Sequence, residues 1–132
     1  FTFLTLNGNL TFNKSEITKS PTNKGHRLRN APDYFGNMAI LYSNQDLINF
    51  KLSIRFSDDR YYDDENTQLD YYHMKPYTVF DAKIWKSLYL LSGEFIISLG
   101  LDNIFNKKYD GEFVYNAPGR YVEFGVKYKF SI

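Results

Sequence analysis

The chain has 132 residues, 43% hydrophobic and 23% charged, with a formal net charge of +1. That suits one domain and supplies no basic face or Lys/Arg run for nucleic acid. It contains no cysteine, which excludes disulfides and thiolate-bound metals and leaves the compartment open.

Aromatics are the outlier: 12 Tyr, 12 Phe and 1 Trp make up 19% of the chain. No apolar run approaches the ~18–20 residues of a membrane-spanning helix; the longest is Met38-Ala-Ile-Leu-Tyr42. Membrane barrels escape that test, because half of each strand faces a wet interior. The sequence opens on Phe1 and alternates by Leu4, with no secretory leader ahead of it. It is therefore expected to be either a complete cytosolic domain or the tail of something longer.

Parity identifies the strands, since successive side chains of a pleated strand point to opposite faces. Leu4, Leu6, Gly8, Leu10 and Phe12 alternate with Thr5, Asn7, Asn9, Thr11 and Asn13. Residues 14–26 are polar, contain Pro21 and Gly25, and form a long loop. Beyond Pro32 a second strand sets Gly36, Met38, Ile40 and Tyr42 against Asn37, Ala39, Leu41 and Ser43. Ser43-Asn-Gln-Asp46 then reads as a tight turn. The third strand alternates most cleanly: Ile48, Phe50, Leu52, Ile54 and Phe56 against Asn49, Lys51, Ser53, Arg55 and Ser57.

Residues 58–75 are a second long loop, rich in Tyr and Asp. A fourth strand over residues 77–86 opposes Phe80, Ala82 and Ile84 to Asp81, Lys83 and Trp85. Leu88-Tyr-Leu-Leu91 has no parity, and a turn is expected near Ser92-Gly93. The fifth strand sets Phe95, Ile97, Leu99 and Leu101 against Glu94, Ile96, Ser98, Gly100 and Asp102. A third long loop covers residues 106–118. The sixth strand sets Val122, Phe124, Val126, Tyr128 and Phe130 against Tyr121, Glu123, Gly125, Lys127 and Lys129. Its apolar row carries no charge and ends in two aromatics.

These elements predict an all-β fold of about six long antiparallel strands. The connections run long, short, long, short, long, as in an outer-membrane barrel with long loops at one rim and tight turns at the other. Strands of about 11 residues rising ~3.3 Å each and tilted ~40° span roughly 28 Å, close to the apolar band of such barrels. A soluble antiparallel barrel or sandwich binding a small apolar ligand would show the same parity with the apolar face inward. Loop asymmetry, strand length and terminal aromatics favour the membrane.

Leu99-Gly-Leu-Asp-Asn-Ile-Phe-Asn-Lys-Lys-Tyr109, followed by Ala117-Pro-Gly-Arg120 and an amphipathic last strand, resembles the C-terminus of TonB-dependent outer-membrane receptors. In that family a strand ends in an Asn-Leu-Phe-Asn-like motif with a Tyr just beyond, and an Ala-Pro-Gly-Arg turn leads into the last barrel strand. Ile104 replaces the commoner Leu. Gly25-His-Arg-Leu-Arg-Asn-Ala-Pro32 is similar to the family's Gly…Pro lead-in to an earlier strand. Glu123, Gly125, Tyr128 and Phe130 resemble the assembly signal of outer-membrane barrels, although Ser131 and Ile132 overrun the usual terminal aromatic.

The resemblance implies that residues 1–132 are the C-terminal section of a large, 22-stranded transmembrane barrel, with the plug and earlier strands absent. It implies a receptor that imports a scarce, bulky ligand of the ferric siderophore, haem or cobalamin class with TonB-coupled energy. The implied partners are the remaining strands and plug, outer-membrane lipid, the barrel-assembly machinery and, through the plug, the TonB complex. The implied location is the Gram-negative outer membrane, long loops extracellular and C-terminus periplasmic. Six strands would leave two unpaired edges, so the piece is expected to exist within a larger, nicked or split receptor. A passive porin-type channel is a further alternative, disfavoured by the receptor-like motifs.

Arg60, Tyr61, Tyr62, Tyr71, Tyr72 and His73 are candidate ligand contacts, because aromatics beside Arg on an outward loop grip bulky ligands by stacking and charge. The bland alternative is an aromatic girdle. Asp58, Asp59, Asp63, Asp64 and Glu65 share that loop, but their spacing fits no 12-residue calcium loop, and a solvated loop is expected. His26 and His73 lack ligand-spaced partners, so no metal is expected. Nothing resembles a Ser/His/Asp or Cys/His catalytic arrangement or a phosphate loop, so neither enzyme chemistry nor a cofactor is expected.

Overall fold

The computed structural model describes residues 2–44, 46–69, 72–90, 93–110 and 115–130. The strands are β1 (Thr2–Phe12), β2 (Tyr34–Asn44), β3 (Asn49–Ser57), β4 (Arg60–Tyr61), β5 (His73–Met74), β6 (Tyr77–Leu90), β7 (Gly93–Asp102) and β8 (Tyr121–Phe130). Six of them form one sheet in the order β1-β2-β3-β6-β7-β8, and β4 pairs with β5 in a small hairpin. Every neighbouring pair is antiparallel. The sheet is open, with β1 and β8 as its edges among the described residues.

Register keeps the apolar parity intact from strand to strand. One row runs Leu6, Ile40, Leu52, Ala82, Leu101, Val122; the next runs Leu4, Tyr42, Phe50, Ile84, Leu99, Phe124. A slip of one residue anywhere would throw a strand's apolar set onto the polar face, so these rows fix the pairing. No layer covers them among the described residues: Leu4 is 74% exposed, Phe124 68% and Leu99 49%. The buried apolar residues are Val79 on the polar face and Tyr61 and Met74 of the hairpin. A water-soluble sandwich would bury the striped face instead. Here that face is bare over all six strands, as a wall meant for acyl chains would be.

The short connections close one rim. The Asn44 carboxamide accepts hydrogen bonds from the Asp46 and Leu47 amides, each at 3.0 Å, an Asx turn. It holds β2 extended as far as Asn44, so the turn comes later than residues 43–46 and β3 begins at Asn49. Lys86 shares parity with the apolar row but lies at this rim, and its ammonium reaches back to the Asp46 carbonyl, a snorkelling arrangement. Aromatics gather here too. Tyr128 meets Phe130 edge-on at 4.6 Å and Phe95 at 6.3 Å. Tyr128 also lies over Gly93, where an added Cβ would come within 2.4 Å of its ring.

Two features differ from the parity reading. β6 does not stop near Lys86; it continues through Ser87-Leu-Tyr-Leu90, with Leu88 opposite Phe95 and Tyr89 opposite Glu94. Alternation does continue there, with Leu88 and Tyr89 on opposite faces, and the Ser87 hydroxyl donates to Glu94 at 2.7 Å. The second difference is β4–β5, which folds part of the second loop into a hairpin. Two-residue strands carry no period to read. The turn expected at Ser92-Gly93 falls partly outside the described residues.

Candidate functional site

The long connections and the half of the polar face next to them form the candidate site. A hollow of about 710 Å³ opens there, lined among others by Asn9, Asn37, Arg55, Arg60, Phe35 and Tyr77. β1, β2 and β3 supply its wall through their polar parity, and β4 brings in Arg60 from the loop. Asp81 braces the wall. It accepts Arg55 Nε at 2.9 Å and Nη2 at 3.2 Å, and the Asn103 amide at 2.9 Å. Asparagines, aromatics and an arginine beside the mouth can bind a bulky polar solute by hydrogen bonding and stacking.

The first and second long loops are fastened together by Arg27. Its Nη1 donates to Asp59 Oδ1 at 3.1 Å and Nη2 to the Asp59 carbonyl at 2.9 Å, while Nε lies 3.3 Å from Asp33. The guanidinium sits over the Tyr61 ring at 5.6 Å, and Tyr61 stacks on His73 at 4.9 Å. His73 Nε2–H donates to Asp59 Oδ2 at 2.7 Å. Asn66, in the left-handed conformation that suits its residue type, completes the join. It accepts from the Arg27 amide at 2.7 Å and donates to the Arg27 carbonyl at 2.9 Å. His26 Nδ1–H donates to the Asp64 carbonyl at 3.0 Å.

Of the candidate contacts, Tyr61 and His73 come together inside this clasp, Tyr61 buried and His73 half-buried. Arg60 lines the hollow and donates to the Asp110 carbonyl at 3.4 Å. Tyr62 is half-buried and Tyr72 exposed. Tyr71 lies outside the described residues. The acidic residues of the loop have separate tasks: Asp59 binds Arg27 and His73, and Asp63 Oδ1 accepts the Thr67 amide at 3.0 Å. Arg27 and Asn66 were not singled out by the sequence. The only signal near them was the Gly25-to-Pro32 lead-in, which places Arg27 without naming its partner 32 residues away.

Burial works to raise the Asp59 pKa, but hydrogen bonds from His73 and Arg27, with the charge of Arg27, outweigh it and hold the carboxyl below the ordinary range. The unfolded loop therefore binds that proton more tightly than the folded one. The clasp's ionic stabilisation is complete above the ordinary carboxylate pKa of ~3.9 and is lost as pH falls through the depressed value. Hydrogen exchange of the Arg27 and Tyr62 amides, taken relative to the intrinsic rate at each pH, is expected to accelerate below about pH 4. Asp59→Asn should accelerate it at neutral pH, by roughly 1–2 kcal/mol of local opening. Unchanged protection in Asp59→Asn would remove Asp59 from the clasp.

The third long loop is pinned by the two asparagines of the motif at residues 102–106. Asn103 and Asn106 both have positive φ, 50° and 51°. Asn103, 3% exposed, donates to the Lys107 carbonyl at 2.9 Å and the Pro118 carbonyl at 3.3 Å, and accepts the Lys107 amide at 2.8 Å. Asn106 Oδ1 accepts the Arg120 amide at 2.9 Å. Phe105 packs edge-on against Phe80 at 5.3 Å.

Residues 1–104 match the family model described as TonB dependent receptor-like, beta-barrel. The chain belongs to that family. No curated protein matches its sequence. Among solved structures, the TonB-dependent receptor chain is similar to BauA, the ferric preacinetobactin receptor from Acinetobacter baumannii, with a TM-score of 0.81 at 20% identity over 95% of this chain. It is also similar to PiuA, a siderophore receptor from Acinetobacter baumannii, with a TM-score of 0.78 at 19% identity over 93% of this chain. At such identity the likeness is one of fold. The chain spans 19% of the length of each.

Within this TonB-dependent receptor barrel section, the four residues resembling an assembly signal divide between the two faces of β8. Glu123 lies 3.7 Å from Lys83 on the polar face. Gly125 leaves room for Ser98, whose Oγ would meet an added Cβ at 2.6 Å. Tyr128 and Phe130 belong to the aromatic group at the tight-turn rim.

Proposed function

We propose that residues 1–132 are the C-terminal part of the barrel wall of an outer-membrane transporter that imports a scarce, bulky ligand with TonB-coupled energy. The ligand proposed is of the ferric siderophore, haem or cobalamin class. One observation carries this reading: the apolar rows run unbroken and bare across six strands, with the other face polar and overlain at one rim by folded loops. The membership in the receptor family and the likeness to BauA, a ferric preacinetobactin receptor, and PiuA, a siderophore receptor, support the ligand class.

On this reading the remaining strands continue from the edges of β1 and β8, and a plug fills the wet interior. Lipid meets the apolar rows, and the assembly machinery engages β8. The long loops face outward and β8 ends on the periplasmic side. Arg60, Tyr62 and Tyr72, together with Tyr71 of the same loop, are proposed to touch ligand, while Tyr61 and His73 hold the loop in shape.

The test is uptake by the full-length receptor in a Gram-negative host lacking its own siderophore receptors. A protonophore is expected to abolish accumulation of ferric siderophore while leaving surface binding intact. Accumulation indifferent to the protonophore would mark a passive channel instead.

A further inference from the structure

The tight-turn half of the polar face holds charges that the wall itself does not balance. Lys51 and Lys83 are direct cross-strand partners, a placement that is destabilising for like charges. Lys83 leans away, across Gly100, and comes within 3.7 Å of Glu123 two strands over. The other strand-borne acids of this face have their own tasks: Asp81 holds Arg55, Glu94 holds Lys129 at 2.6 Å, and Asp102 stands at the loop-side end of β7. Lys51 and Lys127 make no ion pair among the described residues. Both line a hollow of about 380 Å³ with Lys83, backed by Trp85, Ser98 and the bare backbone of Gly125.

We propose that Lys51, Lys83 and Lys127 form a docking point for a carboxylate side chain of the protein segment seated inside the barrel. A carboxylate in the hollow removes the like-charge conflict of the lysine pair and meets the unpaired Lys127 in the same place. Trp85, Ser98 and Gly125 back the hollow in which the three exposed ammonium groups meet. The position selects the source of the carboxylate. The hollow is on the tight-turn half of the sheet, away from the loops and the larger hollow that an arriving solute meets first. The inference rests on the reading of this face as the lumen of a plugged barrel. A local rule broken with only partial compensation inside the wall, Glu123 answering Lys83 alone, is where a function is expected.

Zero-length carbodiimide crosslinking of the full-length receptor in outer membranes, read by mass spectrometry, tests the proposal. An amide adduct is expected between Lys51 or Lys127 and an Asp or Glu outside residues 1–132. The Lys83–Glu123 adduct serves as the internal control. If that control forms and no adduct of Lys51 or Lys127 leaves the wall, the docking point is overturned while the barrel reading stands. If the wild-type receptor lacks both the control adduct and heat-modifiable migration, the barrel reading fails and the proposal falls with it. Adducts to a carboxyl of an added ferric siderophore, in place of a protein one, would reassign the hollow to the transported solute.

Discussion

Leu52→Arg in the full-length receptor is expected to abolish the folded, heat-modifiable barrel in outer membranes, while Ser53→Arg next to it leaves the barrel intact. The two residues are adjacent on β3 and point to opposite faces. Leu52 sits mid-row between Ile40 and Ala82, where a guanidinium would stand in hydrocarbon at a cost of about 2–4 kcal/mol at the bilayer midplane. Ser53 is the direct partner of Asp81, so an arginine there enters a polar face beside a carboxylate. Charge, size and strand are matched between the variants, and only the face differs. Equal tolerance of both would mean that the apolar rows do not meet lipid. Failure of Ser53→Arg with survival of Leu52→Arg would invert the sheet, turning the striped face into a core and restoring the soluble barrel.

Most of the sheet was legible because one physical demand shaped it. A wall between lipid and water must alternate at every strand, and β3 does so without exception over Asn49–Ser57. The same demand explains why parity survives in β6 beyond Lys86, where a Tyr on the polar face and a Leu on the apolar one look alike to a hydrophobicity count. Loops answer to a different logic. Their structure rests on single side chains reaching residues far away in sequence, such as Arg27 to Asp59 or Arg60 to the Asp110 carbonyl. No local period records such a choice. Thus Tyr61 and His73 read from sequence as outward-facing ligand grips, and the structure places them with Arg27 and Asp59 in the clasp.

The clasp and the candidate hollow are therefore linked. Asn30, also at positive φ, donates its amide to the Tyr61 carbonyl at 2.7 Å, which ties the first loop to the strand that carries Arg60. Asn30 and Arg60 both line the larger hollow. A change that loosens Arg27 from Asp59 is thus expected to disturb the Asn30 and Arg60 sides of the hollow together.

Asn103→Gly is expected to destabilise the third loop by roughly 1–3 kcal/mol, since it removes the three hydrogen bonds that the buried Asn103 carboxamide makes to Lys107 and Pro118. Asn103→Ala should cost about 1–2 kcal/mol more, because alanine also resists the left-handed backbone that glycine and asparagine accept. The order of the two variants is the informative result. If conformation alone mattered, glycine would match wild type; if hydrogen bonds alone mattered, glycine and alanine would be equal. The site is a sensitive one. The Asn103 amide is anchored on Asp81, the same carboxylate that holds Arg55, and Pro118 lies just ahead of the Arg120 amide held by Asn106. Loss of the carboxamide therefore frees the turn that feeds β8 into register opposite Asp102. Hydrogen exchange should register it as lost protection at the Lys107 and Arg120 amides, with β2 and β3 unaffected. Protection retained at both amides in Asn103→Gly would show that Asn106 and Phe105 hold the loop without it.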